Sequence, residues 1–381
     1  MRTCLILCLS VLVGCSGRAV GSPDGGPPAT DASTTPDARV ESDSGTTPEP
    51  DAGPPDGGPP ACACPTVPTS CTEPAPNVPT FTPEAAAMGA QLFDVIACAE
   101  STLQIAMYEA EWSCVRAALE AALERSPALT IDIVTDDDRC PPGACLFDAL
   151  EASDRVTLVR DNRDGYMHHK WVVADGERVW VSSANLSQRS YCVDHNNAIV
   201  VEEPEIVGAY QALFTEMLGG AFAPVPREPL VRGSYTVYFS PDSPTTEPAD
   251  WQDEIIAAIE AAEARIEVFI NAWTVDTYAA SLVAAHERGV EVRVLVSHLY
   301  ADGGPAQTAL ENGIAVRRGN IHDKTIVIDD TVFTGSANWS VNARTNNENV
   351  LAIRDAAVAA AYRARFDAIF ASARPVEDAT P

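Results

Sequence analysis

One eight-residue frame occurs twice in the chain and carries both of its lysines. The frames are HHKWVVAD at residues 168–175 and HDKTIVID at residues 322–329, and both follow the pattern H-x-K-x-x-x-x-D. Every other cationic residue is an arginine, so lysine occurs only where a compact ammonium group is wanted. An apolar strand ending in S-A-N follows each frame, within residues 178–187 and 331–340. The chain therefore contains an internal duplication, which constrains the fold before any other feature.

The first fifteen residues have the features of an export signal. Arg2 precedes an apolar run at residues 5–14, which is too short to span a bilayer and fits a signal peptide. The run ends in Leu-Val-Gly-Cys15, which resembles the lipobox of bacterial lipoproteins. This resemblance implies cleavage before Cys15 and lipidation of its sulfur, and Ser16 favours the outer membrane. We therefore expect an exported protein that is lipid-anchored in the cell envelope; the alternative is ordinary secretion.

Residues 16–75 are predicted to form a disordered tether with a cysteine-rich end. Most of this segment is Gly, Pro, Ser, Thr, Ala and Asp, which leaves almost nothing to bury. The remaining chain is long enough for a large core. The formal net charge is -29, and so acidic a protein repels phosphate polymers at long range. This disfavours a processive nucleic-acid binder but leaves room for a local basic groove.

Eight cysteines remain after the two in the signal and Cys15 are set aside. An even number in an exported chain predicts disulfides. Cys140 and Cys145 could close a small loop, and the other pairings stay open. No paired C-x-x-C or nearby histidine set accompanies the cysteines, so we expect no metal site and no cofactor. The eight are Cys62, Cys64, Cys71, Cys98, Cys114, Cys140, Cys145 and Cys192.

Candidate strands and helices alternate before each frame, which predicts a layered α/β sheet in each part of the folded region. We expect an N-terminal half at residues 76–222, a proline-containing connector at 223–234 and a C-terminal half at 235–381. The candidate strands lie at residues 103–110, 130–137, 155–161, 265–273, 290–297 and 314–318.

The histidine and the lysine of each frame are two residues apart, so on a strand they share one face. His168 then projects with Lys170, and His322 projects with Lys324, while His169 faces the other way. If the halves pack about a pseudo-dyad, the two pairs meet across one cleft. One histidine can then attack phosphorus in a phosphodiester while the other protonates the leaving alkoxide. The lysines would bind the nonbridging oxygens.

HHKWVVAD…SSAN and HDKTIVID…GSAN resemble the paired HxKx4D…GSxN motifs of the phospholipase D superfamily. The resemblance covers residues 83–373 and implies two duplicated α-β-α-β-α sandwich halves packed about a pseudo-dyad, with one active site between them. It implies that His168 is the nucleophile, through a covalent phosphohistidine and without a metal, and that His322 is the general acid. Asp175 and Asp329, which complete the motifs, are expected to organise them. The residues implied to bind or support the phosphate are Lys170, Lys324, Ser183, Asn185, Ser336 and Asn338.

The two halves depart from each other in two places. Ser182 stands where the second half has Gly335, and glycine permits backbone angles that serine resists. Glu348 is placed by the resemblance to orient a catalytic imidazole, whereas the first half has Asn196 at that position. One histidine would thus be oriented by a carboxylate and the other not.

Some polar residues outside the frames are predicted to have structural roles. His195, His286 and His298 are expected to be satisfied within the fold or solvated. The acidic run at residues 136–138 lacks the spaced ligands of a calcium loop and is expected to be a solvated turn.

The predicted substrate is phospholipid, with phosphatidic acid as product and an alcohol able to replace water. A tethered, acidic protein without an obvious basic patch fits a lipid surface, and a monomer suffices because the duplication supplies both half-sites. The alternative is a nonspecific endonuclease of the same superfamily, for which a basic groove would be needed. An inactive surface binding module is a third hypothesis, against which the intact motifs argue. The arginines that could form a groove are Arg160, Arg163, Arg189, Arg317, Arg318 and Arg344.

Overall fold

The computed structural model describes residues 62–83, 85–224, 227–242 and 249–377. The predicted signal peptide, Cys15 and most of the predicted tether lie outside the described residues. Within these ranges, every helix is too short or too polar to cross a membrane.

The first half is built on a mixed sheet with the strand order β1-β7-β6-β5-β2-β3-β4. Strands β2, β3 and β4 are parallel, and the other neighbours are antiparallel. The strands are β1 (Thr80–Phe81), β2 (Thr102–Met107), β3 (Thr130–Thr135), β4 (Val156–Arg160), β5 (Lys170–Ala174), β6 (Arg178–Ser182) and β7 (Asn197–Val201). The helices are α1 (Ala85–Cys98), α2 (Ser113–Arg125), α3 (Gln188–Cys192) and α4 (Pro204–Leu218).

The second half repeats this order in a larger sheet, β16-β12-β11-β10-β13-β14-β15-β9-β8. Its strands are β8 (Leu230–Arg232), β9 (Tyr235–Ser240), β10 (Arg265–Ile270), β11 (Glu291–Ser297), β12 (Ala315–Gly319), β13 (Lys324–Ile328), β14 (Thr331–Gly335), β15 (Glu348–Arg354) and β16 (Arg374–Pro375). Its helices are α5 (Asp250–Ala261), α6 (Asp276–Glu287), α7 (Gly304–Glu311) and α8 (Ala356–Ser372). The run β7-β6-β5-β2-β3-β4 corresponds strand for strand to β15-β14-β13-β10-β11-β12, so the predicted duplicated α/β fold is confirmed.

The strand that carries each frame is buried on both faces, which explains its continuous apolar sequence. In β5, Val172 belongs to the core under α1 and α2, while Trp171 and Val173 belong to a second, central core. Both sheets contribute to this central core, together with helices α4 and α8. The face of the first sheet that carries Trp171 and Val173 therefore packs in a core shared with the second half.

Helices α4 and α8 occupy equivalent positions and begin with sequence signals. Pro204 stands in the first turn of α4, and the Asp355 carboxylate accepts the amides of Ala357 and Val358 at the start of α8. Both helices place apolar residues at three- and four-residue spacing on the central core. Those residues are Ile206, Val207, Tyr210, Leu213, Phe214, Met217, Val358, Ala359, Tyr362, Phe366 and Ile369.

The predicted disulfides are confirmed, and all four belong to the first half or to the segment before it. Three of them attach residues 62–75, the cysteine-rich end of the predicted tether, to that half. Cys62 and Val67 of this segment also pack against the core of the first half, so cross-links act together with apolar contact. The pairs are Cys62–Cys192, Cys64–Cys114, Cys71–Cys98 and Cys140–Cys145.

The connector predicted at residues 223–234 is only partly a connector. Its end, Leu230–Arg232, is strand β8, which pairs with β9 at the edge of the second sheet. Strand β9 in turn pairs with β15, with Ser240 opposite Glu348. Strand β9 is the counterpart of β1, which pairs with β7 in the same antiparallel way, with Phe81 and Phe239 opposite Asn197 and Asn349. Strand β8 has no counterpart in the described part of the first sheet.

Candidate active site

The histidine and lysine of each frame lie together at the start of a buried strand, as the spacing predicted. Lys170 begins β5 and Lys324 begins β13, and both side chains are buried. The Nζ atom of Lys170 donates to the carbonyl oxygen of His168 at 2.9 Å, and that of Lys324 donates to the carbonyl oxygen of His322 at 2.7 Å. Each ammonium group is thereby fixed beside the imidazole of its own frame.

The segments that carry the histidines cross between the halves. The amide of His168 donates to the carbonyl of Asn347 at 3.0 Å, and the amide of His322 donates to the carbonyl of His195 at 3.0 Å. Met167 forms an isolated parallel bridge with Asn347, and Ile321 forms the equivalent bridge with His195. Each frame therefore starts against the segment that enters β15 or β7 of the opposite half, which is the reciprocal contact expected of a pseudo-dyad.

The Nδ1 atom of each imidazole is held by a residue of the opposite half. That residue stands just before Asn349 in the second half and just before Asn197 in the first half. The Nδ1 atom of His168 lies 2.8 Å from the carboxylate of Glu348, and that of His322 lies 2.8 Å from Oδ1 of Asn196. Asn196 also donates through Nδ2 to the Ser190 carbonyl at 3.1 Å, so its Oδ1 is the atom turned toward His322. An acceptor at Nδ1 fixes the proton there and leaves Nε2 as the reactive nitrogen.

The asparagines of the two S-A-N segments are held in different ways. In the first half, Nδ2 of Asn185 donates to the Glu109 carboxylate at 3.0 Å. In the second half, Oδ1 of Asn338 accepts the backbone amide of Ala272 at 3.2 Å. Both asparagines are buried.

The serines of these segments join neighbouring strands. The Ser183 hydroxyl donates to Oδ1 of Asn196 at 3.0 Å, and Oγ of Ser336 accepts the amide of Asn349 at 3.0 Å. Ser183 thus fixes the amide that holds His322.

The frame aspartates lie at the far end of their strands, in the turns to β6 and β14. Asp175 and Asp329 both have positive φ, at 52° and 47°. Each carboxylate accepts three consecutive backbone amides, those of residues 100–102 and 263–265 respectively. Although burial acts to raise it, these bonds hold the pKa of both carboxyls below its usual value. A strand of five residues places them roughly 16 Å from the lysines, so they organise the motif at a distance.

Comparison with known proteins agrees with this geometry. The family model described as "Cardiolipin synthase, PLD-like domain" matches residues 92–218 and 255–370, well over half of the chain. The chain belongs to the phospholipase D superfamily.

Relatives within the superfamily match over part of their length. The mitochondrial cardiolipin hydrolase of Xenopus tropicalis is 36% identical over 120 residues, which is 29% of this chain and 56% of that protein. The phospholipase D of Rickettsia prowazekii (strain Madrid E) is 34% identical over 128 residues, 31% of this chain and 61% of that protein. The chain thus spans less than two thirds of the length of these relatives. The crystal structure of phosphatidylserine synthase from Haemophilus influenzae shares the fold, with a TM-score of 0.59 and 14% identity over 78% of this chain and 87% of that one.

One departure between the two superfamily motifs is visible in the backbone. Gly335 has φ of +148°, and a Cβ atom there would lie 2.1 Å from the carbonyl oxygen of Asn349. At the equivalent position, the Ser182 hydroxyl instead donates to the carbonyl of Asn197 at 2.8 Å. The two loops therefore differ, as the substitution of serine for glycine predicted.

Tyr108 borders the site and was missed in the sequence. It follows the last residue of β2, next to the start of β5, and its ring packs edge-on against His168 with centroids 4.7 Å apart. The Nζ atom of Lys170 lies 4.8 Å from the same ring centroid, a cation–π contact. Nε of Arg139 donates to the Tyr108 hydroxyl at 2.9 Å. The only signal for Tyr108 in the sequence was its position just after the end of β2. Parallel strands end at one edge of a sheet, and the site lies at that edge.

On the faces away from the site, the residues after the motif histidines differ in charge. His169 is buried against Oδ1 of Asn349 at 3.2 Å, and burial lowers its pKa to about 3. Asp323 occupies the equivalent position and accepts from Nδ2 of Asn197 at 2.6 Å, and burial raises its pKa to about 6. The prediction that His169 faces away from Lys170 and is structural agrees with this placement.

The acidic run at residues 136–138 is not simply a solvated turn, and that expectation is wrong for Asp136. Asp136 is buried and accepts the amides of Asp138, Arg139 and Met167. Burial raises its pKa to about 6. Because Met167 precedes His168, this carboxyl supports the approach of the chain to the site. Oxygen atoms of the three carboxylates lie within 4.8 Å of one another. The hydrogen bonds described above for the motif histidines and lysines do not involve these carboxylates.

The six arginines considered for a basic groove are all engaged within the chain. Carboxylates offset the charge of Arg160, Arg189 and Arg318, whereas the other three donate to neutral oxygens and keep their charge. Their partners are Asp148 for Arg160, Phe222 and Thr345 for Arg163, Asp194 for Arg189, Phe370 for Arg317, Asp302 for Arg318 and Gln252 for Arg344.

Proposed function

We propose that the protein is a phosphodiesterase of the phospholipase D type, which removes the head group of a phospholipid through a covalent phosphohistidine. The observation that carries this proposal is the reciprocal fixing of two buried imidazoles, each held at Nδ1 by the opposite half. The names of the relatives, cardiolipin hydrolase and phospholipase D, support the same class of reaction.

In this mechanism His168 is the nucleophile, because the Glu348 carboxylate stabilises the positive charge that an imidazole gains when its Nε2 bonds to phosphorus. The bond from phosphorus to the head-group oxygen breaks, and His322 gives its proton to that oxygen. His322 then accepts a proton from water, the hydroxide attacks phosphorus, and the bond from phosphorus to His168 breaks. The products are phosphatidic acid and the free head group. An alcohol in place of water would give transphosphatidylation.

Lys170 and Lys324 would offset the charge that builds on the nonbridging oxygens. Their carbonyl contacts hold both ammonium groups beside the imidazoles before substrate arrives, so little reorganisation is needed during the reaction. Asn185 and Asn338 are the further candidates for phosphate contact, and Asp175 and Asp329 would act only through the turns that they hold.

Phospholipid is favoured over nucleic acid by the charge of the protein. The net charge is -29, and three of the six candidate arginines near the motifs are paired with carboxylates. Lipidation at Cys15 and anchoring in the outer membrane, facing its own substrate, complete the proposal. A monomer would suffice, because one chain supplies both half-sites.

The first test follows phosphatidic acid release from zwitterionic phospholipid vesicles by the full chain in EDTA. His168→Ala and His322→Ala should each lower the rate at least about a thousandfold. With a 4-nitrophenyl phosphodiester, whose leaving group needs no proton, His322→Ala should still release a first-turnover burst of nitrophenolate, and His168→Ala should not. Plasmid cleavage by folded protein that releases no phosphatidic acid would show that the endonuclease is the correct reading.

A further inference from the structure

The first half of the site contains a carboxylate that the second half lacks. Glu109 and Ala272 both stand two residues beyond the last residue of the equivalent strands β2 and β10. Where the backbone amide of Ala272 holds Asn338, the Glu109 side chain holds Asn185. The fold can therefore fix this asparagine without a charged group, and the carboxylate is an addition.

The contact with Glu109 also determines how Asn185 faces. A carboxylate only accepts, so the amide nitrogen of Asn185 must point to it, at 3.0 Å. The Oδ1 atom of Asn185 is left buried with no hydrogen-bond partner among the described residues. Asn338 has the reverse arrangement, since its Oδ1 is taken by a backbone amide. The amide nitrogen of Asn185 has two hydrogens, so the one that does not go to Glu109 can donate to a phosphate oxygen.

Glu109 lies at the border of the site rather than in the core. It follows Tyr108, whose ring contacts His168, and it is half-buried whereas Asn185 is buried. The guanidinium of Arg139 lies close enough to Glu109 to respond to its charge. Burial acts against it, but Tyr108 and then Glu109 raise the pKa of the Arg139 guanidinium.

We infer that Glu109 is a specificity-determining residue, whose carboxylate selects phosphodiesters that carry a cationic amine near the phosphate. Hydrogen bonds span about 3 Å, so a phosphate oxygen bound to Asn185 would lie within about 6 Å of Glu109. The ammonium group of an ethanolamine or choline ester is two carbons from its phosphate oxygen and can reach the carboxylate. A glycerol head group makes no such ion pair, and a second phosphate is repelled.

This inference rests on the proposed function and names its substrate class. The test compares the wild-type chain with Glu109→Gln, which retains an oxygen that can accept from Asn185 but removes the charge. Glu111→Gln is the matched control, since Glu111 is exposed and lies two residues along the same segment. Short-chain phosphatidylethanolamine and phosphatidylglycerol are supplied in neutral detergent micelles, and kcat/KM is measured for each. The ratio of the two values removes effects of the surface and of protein folding.

We expect the wild type to favour phosphatidylethanolamine, and Glu109→Gln to lower that preference about tenfold while Glu111→Gln leaves it unchanged. Hydrolysis of both lipids by Glu109→Gln with an unaltered ratio would overturn the inference and leave the phosphodiesterase intact. Failure of the wild type to hydrolyse either lipid or a 4-nitrophenyl phosphodiester would overturn both.

Discussion

The two halves share one backbone plan but differ in the chemical groups that surround their histidines. Glu348 gives His168 a carboxylate, and Asn196 gives His322 a neutral amide at the same distance. A side-chain carboxylate likewise holds one asparagine of the site, and a backbone amide holds the other. The comparison shows that the duplicated fold fixes where groups stand, while side chains at equivalent positions surround the two histidines with different charge.

The halves also differ in how they are held together. All four disulfides lie in or against the first half, whereas the described part of the second half relies on its two apolar cores. Stability and chemistry therefore vary separately between the halves, and each difference can be tested at matched positions.

The largest effect is expected from the disulfide with the longest loop. Cys62 and Cys192 are 130 residues apart, so removing both by substitution with serine should lower the free energy of unfolding by about 5 kcal/mol in the chain-entropy model. Urea unfolding measures the loss, and hydrogen exchange should locate it in α1–α3. Removing Cys71–Cys98, only 27 residues apart, should cost about 1.4 kcal/mol less. An equal rise in hydrogen exchange throughout β10–β13 would show that the disulfide stabilises both halves alike.

The substitutions Gly335→Ser and Ser182→Gly, at the residues just before the two S-A-N segments, should lower the free energy of unfolding by very different amounts. Gly335→Ser forces a Cβ atom against the Asn349 carbonyl and should cost about 4 kcal/mol through strain and overpacking. Ser182→Gly only loses hydrogen bonds to the Asn197 carbonyl and the Ala184 amide, and should cost about 1 kcal/mol. Thermal and urea unfolding of the two variants would measure this, and similar losses would refute the backbone difference.

His169 and Asp323, the buried residues that follow the two motif histidines, should change the stability of the protein in opposite directions as the pH falls. Because burial lowers the pKa of His169 to about 3, the unfolded chain binds a proton below about pH 6.5 that the folded chain does not. This contribution to stability is lost as the pH falls, and the advantage of wild type over His169→Asn should shrink by about 3 kcal/mol between pH 7 and pH 4.5.

Asp323 should respond in the other direction. Burial raises its pKa to about 6, so the folded chain takes up the proton first as the pH falls. Relative to Asp323→Asn, the wild type should therefore gain about 2 kcal/mol between pH 7 and pH 4.5. Urea unfolding at the two pH values provides both comparisons, and parallel curves for all three proteins would contradict the assigned environments.

A kinetic comparison tests whether the two histidines have different roles. Glu348→Gln keeps an acceptor at Nδ1 of His168 but removes the charge, and should lower kcat about a hundredfold, or about 2.7 kcal/mol. Asn196→Asp adds a carboxylate at His322 and should change kcat less than about tenfold, while moving the pH profile upward because the imidazolium is stabilised. Equal losses without a change in the pH profile would indicate that the two residues only support the fold.

Much of this architecture could be predicted from repetition and periodicity. The shared face of His168 and Lys170 follows from strand geometry, and the contrast between Glu348 and Asn196 is visible on aligning the two repeats. The sequence did not show that Glu348 belongs to His168 rather than to its own half's histidine. A repeat specifies the position of a residue within a half, but the partner depends on how the halves cross.

Other features escaped prediction for the same physical reason. Tyr108 and Glu109 have no repeated counterpart, since Asn271 and Ala272 stand at their positions, so nothing marked them as part of the site. Asp136 lies in a run of acidic residues, which usually indicates solvent, yet three backbone amides hold it in the interior. Cysteine pairing depends on tertiary distances that local sequence does not encode.

The crossing of the two frames has a consequence for how the protein matures. Asn347 and Glu348 must arrive before His168 is held, and the chain makes them 179 and 180 residues later. A nascent chain that has emerged only as far as the first half would therefore have a histidine without its carboxylate. Under the proposed function, reactivity toward phosphodiesters would begin only when synthesis of the second half and its docking on the first are both finished.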